Sequence, residues 1–286
     1  MRLRTLPLSL SGIIVGTALA STVAVPAFSV ILALVFTTAF LQILSNLSNE
    51  LGDTLHGTDT ADRQGIHYSI QDGEMTVAQM KALIAVIACL CCISGLAMVY
   101  FSFGTLLDLR AAGLLALGAA AIWAAMHYTL GDNPYGYRGL GDVFVFIFFG
   151  LVSVLGAGYV CSHTILPLWT LPAAAIGCWS IGVLNVNNIR DMKTDSATRT
   201  TVALKIGLKK ARIYHTILIT LGWALMATFS LMTASEWVQW IYFITIPLFA
   251  LHLRGVWTRV DRALDPMLPM LVMTTFATAI LFAVFS

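Results

Sequence analysis

The sequence predicts an all-α, polytopic membrane protein, and three observations support that fold class. Hydrophobic residues make up 58% of the 286 residues and charged residues only 10%, whereas soluble domains have about 45–50% and about 25%. The mean hydropathy is +0.86, and the charged residues leave seven long stretches of the chain uncharged. This composition argues against a soluble enzyme and a disordered chain. The net charge of +2 gives no reason to expect a nucleic-acid partner.

The uncharged stretches divide the chain into membrane spans. They cover residues 5–49, 82–107, 111–131, 143–189, 213–235, 237–253 and 266–286. A helix needs about 20 apolar residues to cross a bilayer, so the two longest stretches must each hold two helices. Pro26 marks the first reversal, and the segment 161–163 before Pro167 marks the second. The total is nine spans in one domain over residues 1–286, and the span interrupted by Pro247 is the shortest.

The basic residues predict how the spans are oriented. With the N-terminus in the cytoplasm, fifteen of the sixteen Lys and Arg residues lie on the cytoplasmic side or flank it, and only Arg110 lies opposite. This bias fits the positive-inside rule and predicts the orientation; the expected location is a bacterial inner membrane, with the active site on the cytoplasmic side. Arg2, Arg4 and the run up to Ala20 also resemble a cleaved signal peptide. The apolar sequence continues past Ala20 without a break, which favours a retained first helix.

Two acidic segments follow predicted spans two and six, both at the cytoplasmic side. In the first, Asn49 and Asp53 are four residues apart; in the second, Asn187, Asp191 and Asp195 repeat that spacing. Residues four apart share one helix face, so each segment predicts a polar stripe. In the first segment Gly57 suggests that the helix has ended, and a loop then carries Asp59 back towards the stripe.

The charge of these stripes points to a cation site. Two carboxylates about 5 Å apart repel by roughly 3 kcal/mol at an effective dielectric constant near 20. Converging carboxylates therefore need protons or cations, and Mg²⁺ is typically held by a few carboxylates together with substrate phosphates. Two facing stripes predict a Mg²⁺–diphosphate site. Two ordinary solvated helix ends are the alternative, which the similar spacing and shared membrane side disfavour.

Basic and aromatic residues near the stripes are candidates for substrate binding. Arg190 and Lys193 lie beside the second stripe and could neutralise a diphosphate, whereas the basic residues at 209–212 are more typical of lipid-facing anchors. The segment 132–142 is either a tight loop or part of the site. In the site, Arg138 could hold a carboxylate through two hydrogen bonds, and Tyr135 or Tyr137 could stack on an aromatic ring.

At this point the chain resembles the intramembrane aromatic prenyltransferases, and within them the branch that acts on 1,4-dihydroxy-2-naphthoate. The resemblance rests on residues 4–12 (RTLPLSLSG), 47–53 (LSNELGD) with 57–59 and 62–63, 134–142 (PYGYRGLGD) running into 143–150, and 187–191 (NNIRD) with Asp195. Glu50 departs from the family, which more often has Asp after this Asn. Asp62 has no defined role.

The resemblance implies nine transmembrane helices around a central cavity capped by cytoplasmic loops. It implies that Mg²⁺ joins a polyprenyl diphosphate to six residues, of which Asp53 and Asp191 are central to catalysis: Asn49, Asp53, Asp59, Asn187, Asp191 and Asp195. The expected reaction is prenyl transfer to dihydroxynaphthoate with loss of CO₂ and diphosphate, which gives a demethylmenaquinol for menaquinone synthesis. Membrane lipid surrounds the prenyl tail. Prenyl length and oligomeric state are not predicted.

Two alternatives remain open on the sequence. A different aromatic acceptor, such as 4-hydroxybenzoate, would keep the same chemistry. A cation or small-anion transporter would use the acidic stripes as its pathway, but it predicts carboxylates near the bilayer midplane. Here the carboxylates fall at the ends of the spans, which disfavours transport.

Overall fold

The structure is a computed structural model, and it describes residues 3–57, 70, 73–196 and 198–285. Within these residues almost every element is helical, and the only strand-like pairing is an isolated parallel bridge between Arg138 and Thr200. The all-α prediction is therefore confirmed. Asp59 and Asp62 lie outside the described residues.

The described residues form nine long helical segments. They are α1 (Leu6–Ser21), α2 (Phe28–Leu55), α3 (Val77–Phe103), α4 (Leu109–His127), α5 (Gly141–Ser162), α6 (Pro167–Arg190), α7 (Leu208–Thr233), α8 (Trp237–Thr258) and α9 (Asp261–Phe285). Eight of them are long and apolar enough to cross a membrane, whereas α1 has 16 residues and is shorter. The number of nine transmembrane helices therefore stays a prediction for this chain.

Both predicted reversals lie where the sequence placed them. The first lies between Ser21 and Phe28 and contains Pro26. The second follows Ser162, where His163 ends α5 in the left-handed conformation with φ 56°. Pro247 does not interrupt α8, because it falls in the first turn where a 3₁₀ stretch becomes α-helix. The missing N–H of proline costs little at such a start.

Among the four hydrophobic clusters of the described residues, two are much larger than the others. The larger one joins α1 to α5, α6, α7, α8 and α9 and includes the fully buried Trp179 and Phe249. The smaller one joins α2 to α3 and α4 around Leu44 and Met80. A cavity lies between the two clusters, with walls from α1, α2, α4, α5 and α6.

The ends of α2 and α6 set the positions of the acidic segments. α2 continues unbroken through Asn49 and Asp53 to Leu55, and Gly57 follows with φ +67°, a conformation that favours glycine after a helix. α6 ends at Arg190, but the i, i+4 pattern continues. The Asp191 N–H donates to Asn187 O at 3.0 Å, and the Asp195 N–H donates to Asp191 O at 2.9 Å.

Candidate active site

A cavity of about 340 Å³ lies between the two core clusters, and its chemistry changes along its length. At one end it is lined by Asn49, Asp53, Asn187 and Arg199. Most of the remaining wall is apolar and comes from residues such as Leu34, Leu117 and Val152. Such a cavity suits a ligand with a charged head and a long hydrocarbon tail, because apolar walls with a few polar groups fix orientation.

The first acidic segment faces the polar end of the cavity. Asp53 is 2% exposed, and its Oδ1 accepts a hydrogen bond from the Tyr137 hydroxyl at 2.8 Å. Asn49 Oδ1 accepts one from Thr129 Oγ1 at 3.2 Å. Gly52 allows this approach, since a Cβ there would lie 2.5 Å from Thr129 Oγ1. The motif glycine therefore lets the segment after α4 pack against α2.

The second acidic segment is tied together by Arg190. Its guanidinium donates to both carboxylate oxygens of Asp191 at 2.7 Å, to Asp265 Oδ1 at 2.8 Å and to Asn187 Oδ1 at 2.8 Å. Asp191 is completely buried and Arg190 is 3% exposed. Asn187 lines the cavity, but Arg190 and Asp191 lie behind it rather than on its wall.

Arg199 joins the two acidic segments. Its Nη2 donates to Asp195 Oδ1 at 2.8 Å, and its Nη1 lies 3.9 Å from Asp53 Oδ1. The guanidinium also lies over the Tyr137 ring, 5.7 Å from its centroid. Burial lowers the pKa of Arg199, but Asp53 and Asp195 outweigh it and raise the pKa above its usual value. Arg199 therefore stays charged between the two segments.

The two acidic segments lie close together inside the protein. Asp53, Asp191 and Asp195 are all turned into the protein rather than towards bulk solvent. Asp53 and Asn187 line one cavity, and Arg199 connects Asp53 with Asp195. The two stripes therefore meet at one end of the molecule, although Asp191 and Asp195 do not themselves line the cavity.

The loop between α4 and α5 contributes its two tyrosines in different ways. Tyr135 lines the cavity, donates to Ala124 O at 2.7 Å and stacks on Phe144 with ring centroids 3.9 Å apart. Burial raises the pKa of the Tyr135 hydroxyl. Tyr137 holds Asp53, and its carbonyl accepts from the Thr200 N–H at 2.9 Å. The loop is thus fixed to both acidic segments.

None of the three basic residues predicted to bind substrate, Arg138, Arg190 and Lys193, lines the cavity. Arg138 is exposed next to Tyr137 and does not line the cavity. The side chain of Lys193 is 75% exposed and pairs with Asp261 Oδ2 at 2.7 Å, a surface ion pair of the kind that contributes about 0–1 kcal/mol. Glu50 is buried and does not line the cavity. The substrate-binding roles of Arg138 and Lys193 stay predictions.

Several residues at the cavity were not among the predicted site residues. Arg199 and Thr129 are two of them. Thr129 contacts the distant Asn49, whereas Arg199 contacts both the distant Asp53 and Asp195, which is only four residues away. Gln42 and Asn46 extend the polar stripe of α2 and line the cavity. Gln42 donates to Thr5 Oγ1 at 3.0 Å and to Asn46 Oδ1 at 3.2 Å, and it accepts from Ser9. Their spacing of four residues along α2 was the available signal.

The donor atoms at the polar end fit Mg²⁺ in kind. Asn49, Asp53 and Asn187 offer amide and carboxylate oxygens at one end of the cavity, and Mg²⁺ prefers oxygen ligands and usually keeps waters or substrate phosphates. Within the described ranges, no group of three or more His, Cys, Asp or Glu residues could hold a metal alone. The residues fit an ion that a bound diphosphate helps to hold.

Comparison with known proteins places this architecture in a family. The model of the UbiA prenyltransferase family matches residues 9–284, which is nearly the whole chain. The chain belongs to the UbiA prenyltransferase family. The family membership confirms the prenyltransferase resemblance seen in the sequence.

Two curated relatives of this UbiA protein carry the same enzyme name. The chain is 39% identical over 284 residues to 1,4-dihydroxy-2-naphthoate octaprenyltransferase of Escherichia coli (strain K12), which covers 99% of this chain and 92% of the relative. It is 36% identical over 286 residues to the enzyme of the same name from Haemophilus influenzae, with the same coverage. Both relatives match the chain along nearly its full length.

Solved structures of the family share the fold at low sequence identity. An apo UbiA homologue from Aeropyrum pernix K1 superposes with a TM-score of 0.75 at 17% identity, covering 99% of this chain and 98% of that one. A UbiA homologue from Archaeoglobus fulgidus, bound to GPP and Mg²⁺, has a TM-score of 0.63 at 14% identity and covers 98% of each chain. These similarities support the arrangement of helices.

Proposed function

We propose that this UbiA family member transfers a polyprenyl group from a polyprenyl diphosphate to 1,4-dihydroxy-2-naphthoate. The products are a demethylmenaquinol, CO₂ and diphosphate, on the route to menaquinone. The observation that supports the acceptor most directly is the identity of 39% and 36% to dihydroxynaphthoate octaprenyltransferases over nearly the whole chain. The cavity with one polar end supports the donor class.

The diphosphate of the donor binds at the polar end in this proposal. Asn49, Asp53, Asp59, Asn187, Asp191 and Asp195 would hold Mg²⁺ there, and the ion would supply Lewis-acid neutralisation of the diphosphate as it leaves. Arg199 adds a positive charge, and its buried Nε has no hydrogen-bond partner among the described residues. Arg199 lines the cavity that would receive the phosphate oxygens.

The wall beside the polar end suits the carbon that becomes electron-deficient. When the C–O bond breaks, the diphosphate takes the electron pair and the prenyl group becomes an allylic cation. Tyr135 and Phe144 line the cavity with their stacked rings, and aromatic faces attract cations. The naphthoate ring supplies the electron pair of the new C–C bond and then loses CO₂. Any proton that the prenylated carbon gives up is matched by the proton that takes the place of the carboxylate on the ring. The apolar wall keeps water from the cation.

In the proposal, the loop that carries Arg138 binds the aromatic acceptor. In the proposal Arg138 binds the acceptor carboxylate, and the aromatic residues beside it, Tyr135 and Tyr137, contact the naphthoate ring. Arg190 and Lys193 increase the positive potential at the same end of the molecule. The excess of Lys and Arg on this side supports an active site that faces the cytoplasm, and the bacterial relatives support an inner-membrane location.

A competition assay tests this function. The purified protein in lipid vesicles receives labelled octaprenyl diphosphate, Mg²⁺ and an equimolar mixture of 1,4-dihydroxy-2-naphthoate and 4-hydroxybenzoate. We expect labelled demethylmenaquinol and diphosphate release that depends on Mg²⁺. Product from 4-hydroxybenzoate with none from the naphthoate would reject the acceptor. Ion flux through the vesicles without diphosphate release would instead favour a transporter.

A further inference from the structure

We propose that Asp142, at the start of α5, takes up and returns the proton that moves during prenyl transfer, and that Tyr128 carries this proton between Asp142 and the main cavity. This role rests on the proposed prenyl-transfer function. It extends that function to a step that the residues at the diphosphate end do not explain.

The proposed reaction needs a group that holds one proton between two steps. The acceptor ring becomes positively charged when it gives an electron pair to the allylic cation. That charge is removed when an O–H or C–H bond of the acceptor breaks and leaves its electron pair on the ring. When CO₂ then leaves, the electron pair of its bond stays on the ring, and the acceptor takes up one proton. One proton therefore leaves the acceptor and one returns, which is a task for an acid–base group.

The carboxylates at the polar end of the cavity are poorly suited to this task. Asp53 and Asp195 contact Arg199, and Asp191 contacts Arg190. A guanidinium beside a carboxylate favours the ionised form of that carboxylate. In the proposed function the same carboxylates also hold a metal ion, so their oxygens are committed to cations.

Asp142 is a buried carboxylate without a cationic partner. It is 9% exposed, and among the described residues it forms no ion pair. Its side chain has one hydrogen bond there, from the Tyr214 hydroxyl of α7 to Oδ2 at 2.9 Å. The other oxygen, Oδ1, accepts no hydrogen bond from the described part of the chain. Tyr214 therefore fixes the carboxylate and leaves one oxygen able to accept a proton.

A very small cavity lies against Asp142 and connects it with the main cavity. It measures about 10 Å³, and four polar side chains in its wall come from different segments: Tyr128, Asp142, Asn188 and Thr201. A space of about 10–15 Å³ with polar walls holds one water molecule. Tyr128 and Asn188 also line the main cavity. A proton can therefore pass from the acceptor to Asp142 through Tyr128 and one water.

Tyr128 has the properties that a connecting group needs. A Cβ built on Gly141 would lie 3.2 Å from the Tyr128 hydroxyl oxygen, so this hydroxyl lies beside the start of α5. Burial raises the pKa of Tyr128 to about 12 although Arg199 opposes the shift, and Asp142 is among the carboxylates that add to it. The hydroxyl therefore stays protonated, and it can donate its own proton while it accepts another.

Two glycines of the segment 134–142 make room for this arrangement. A Cβ on Gly136 would lie 2.5 Å from the Tyr128 carbonyl oxygen, and a Cβ on Gly141 would lie 3.2 Å from Leu184. Neither position can carry a larger side chain without moving its neighbours. The glycine-rich loop therefore lets the chain approach Tyr128 closely and places Asp142 beside the small cavity.

A purely structural role for Asp142 is the alternative. The residue lies in the first turn of α5, where a carboxylate interacts favourably with the positive end of the helix dipole. Its hydrogen bond with Tyr214 also joins α5 to α7. Such a role would affect stability but not proton transfer, so the test needs a readout other than stability.

The first variant is Asp142→Asn in the full-length protein, because the amide keeps the shape of the side chain but is not a proton acceptor. We measure kcat and KM for octaprenyl diphosphate with Mg²⁺ and dihydroxynaphthoate in vesicles, together with thermal unfolding. Acid–base groups contribute about 10²–10⁴-fold, so we expect kcat to fall by about 10²-fold or more while KM for the donor changes little. Asp108→Asn is the matched control, since Asp108 is a carboxylate at the start of α4.

The second variant, Asp142→Gly, separates proton transfer from packing. Its kcat is measured with added formate or formamide, which have nearly the same size, whereas only formate supplies a carboxylate. We expect formate to raise kcat by about tenfold or more, as a replacement for part of the acid–base contribution, and formamide to leave it unchanged.

Near-normal kcat in Asp142→Asn, an equal loss in Asp108→Asn, or equal effects of formate and formamide would overturn this role. Lower stability with unchanged kcat would establish the structural alternative instead. No naphthoate product from the unmodified protein would overturn the proposed acceptor together with this role. Normal product formation that does not depend on Asp142 would overturn this role alone.

Discussion

Asp53 contacts residues from several parts of the site. It lines the cavity, accepts from Tyr137 and lies 3.9 Å from Arg199. Its position at a helix end means that replacing it should leave the helix core intact. The function of Asp53 therefore depends on its charge, which a neutral residue of the same shape would remove.

We predict that Asp53→Asn lowers kcat by about 10²–10³-fold, the usual loss when a group that stabilises developing charge is removed. Turnover of the prenyl diphosphate at saturating Mg²⁺ measures this. Asp108→Asn is the matched control, because Asp108 lies at the opposite end of the helices, where it caps α4 and pairs with Arg110. Near-normal turnover in Asp53→Asn would show that the reaction does not require this carboxylate.

Arg199 holds together carboxylates that would otherwise repel each other. We predict that Arg199→Leu lowers thermal stability without Mg²⁺ by about 3–5 kcal/mol, because breaking a buried ion pair leaves its partner unpaired. Adding Mg²⁺ should recover part of this loss, since the ion replaces the missing charge. The exposed Arg254→Leu serves as the control, and an Mg²⁺ response no larger than that of the control would contradict this role.

A variant of Arg138 tests how the site binds the acceptor. We predict that Arg138→Ala raises KM for dihydroxynaphthoate by about tenfold or more, because charge-assisted hydrogen bonds to a carboxylate are worth about 1.5–3 kcal/mol. KM for the prenyl diphosphate should change little. Steady-state kinetics with each substrate varied in turn measure the two KM values separately. A change in the KM of the donor alone would show that Arg138 does not bind the acceptor.

At the scale of single helices, much of the fold could be predicted from the sequence. Periodicity and charge predicted the reversal at Pro26, the end of α2 near Gly57 and the stripe from Asn187 to Asp195. These features depend on residues close together in the chain. The π-helical stretch within α5, Phe146–Val152, was not predicted, because it depends on how α5 packs against its neighbours.

The site was only partly predictable for the same reason. Asp53 and Asn187 could be placed at one end of the molecule from topology alone. The ion pair of Arg199 with Asp195 has the local i, i+4 spacing, but the pair with Asp53 joins distant parts of the chain, so no local pattern specifies it. The exposure of Arg138 depends on how its loop pairs with Thr200, which the sequence does not reveal.

The contact between α5 and α6 is a testable feature at this scale. A Cβ on Gly150 would lie 2.6 Å from Gly177 Cα, so Gly150→Ala must push the helices apart. We predict a loss of about 1–3 kcal/mol in stability, as for other overpacked cores. Thermal unfolding in detergent measures it, with Gly113→Ala as the control because its Cβ meets no atom within 4 Å. Equal stability of the two variants would contradict the close packing.

At the scale of the whole molecule, the cavity lies between the two largest core clusters of the described residues. Asp53 is on α2, which packs in the smaller of these clusters, and Asn187 is on α6, which packs in the larger. Neither cluster of helices contains the whole site. The two acidic segments can therefore act on one diphosphate only when both clusters are packed together. Coupling between Asp53 and Asp191 is therefore a property of the assembled chain.

A double-mutant cycle measures that coupling most directly. The kcat/KM for octaprenyl diphosphate with Mg²⁺ is compared in the unmodified protein, Asp53→Asn, Asp191→Asn and the double variant. Residues that serve one site are non-additive, so we predict that the double variant is hardly worse than either single variant. Losses that simply multiply, or single variants with near-normal kcat/KM, would show that the two acidic segments do not act on a shared diphosphate.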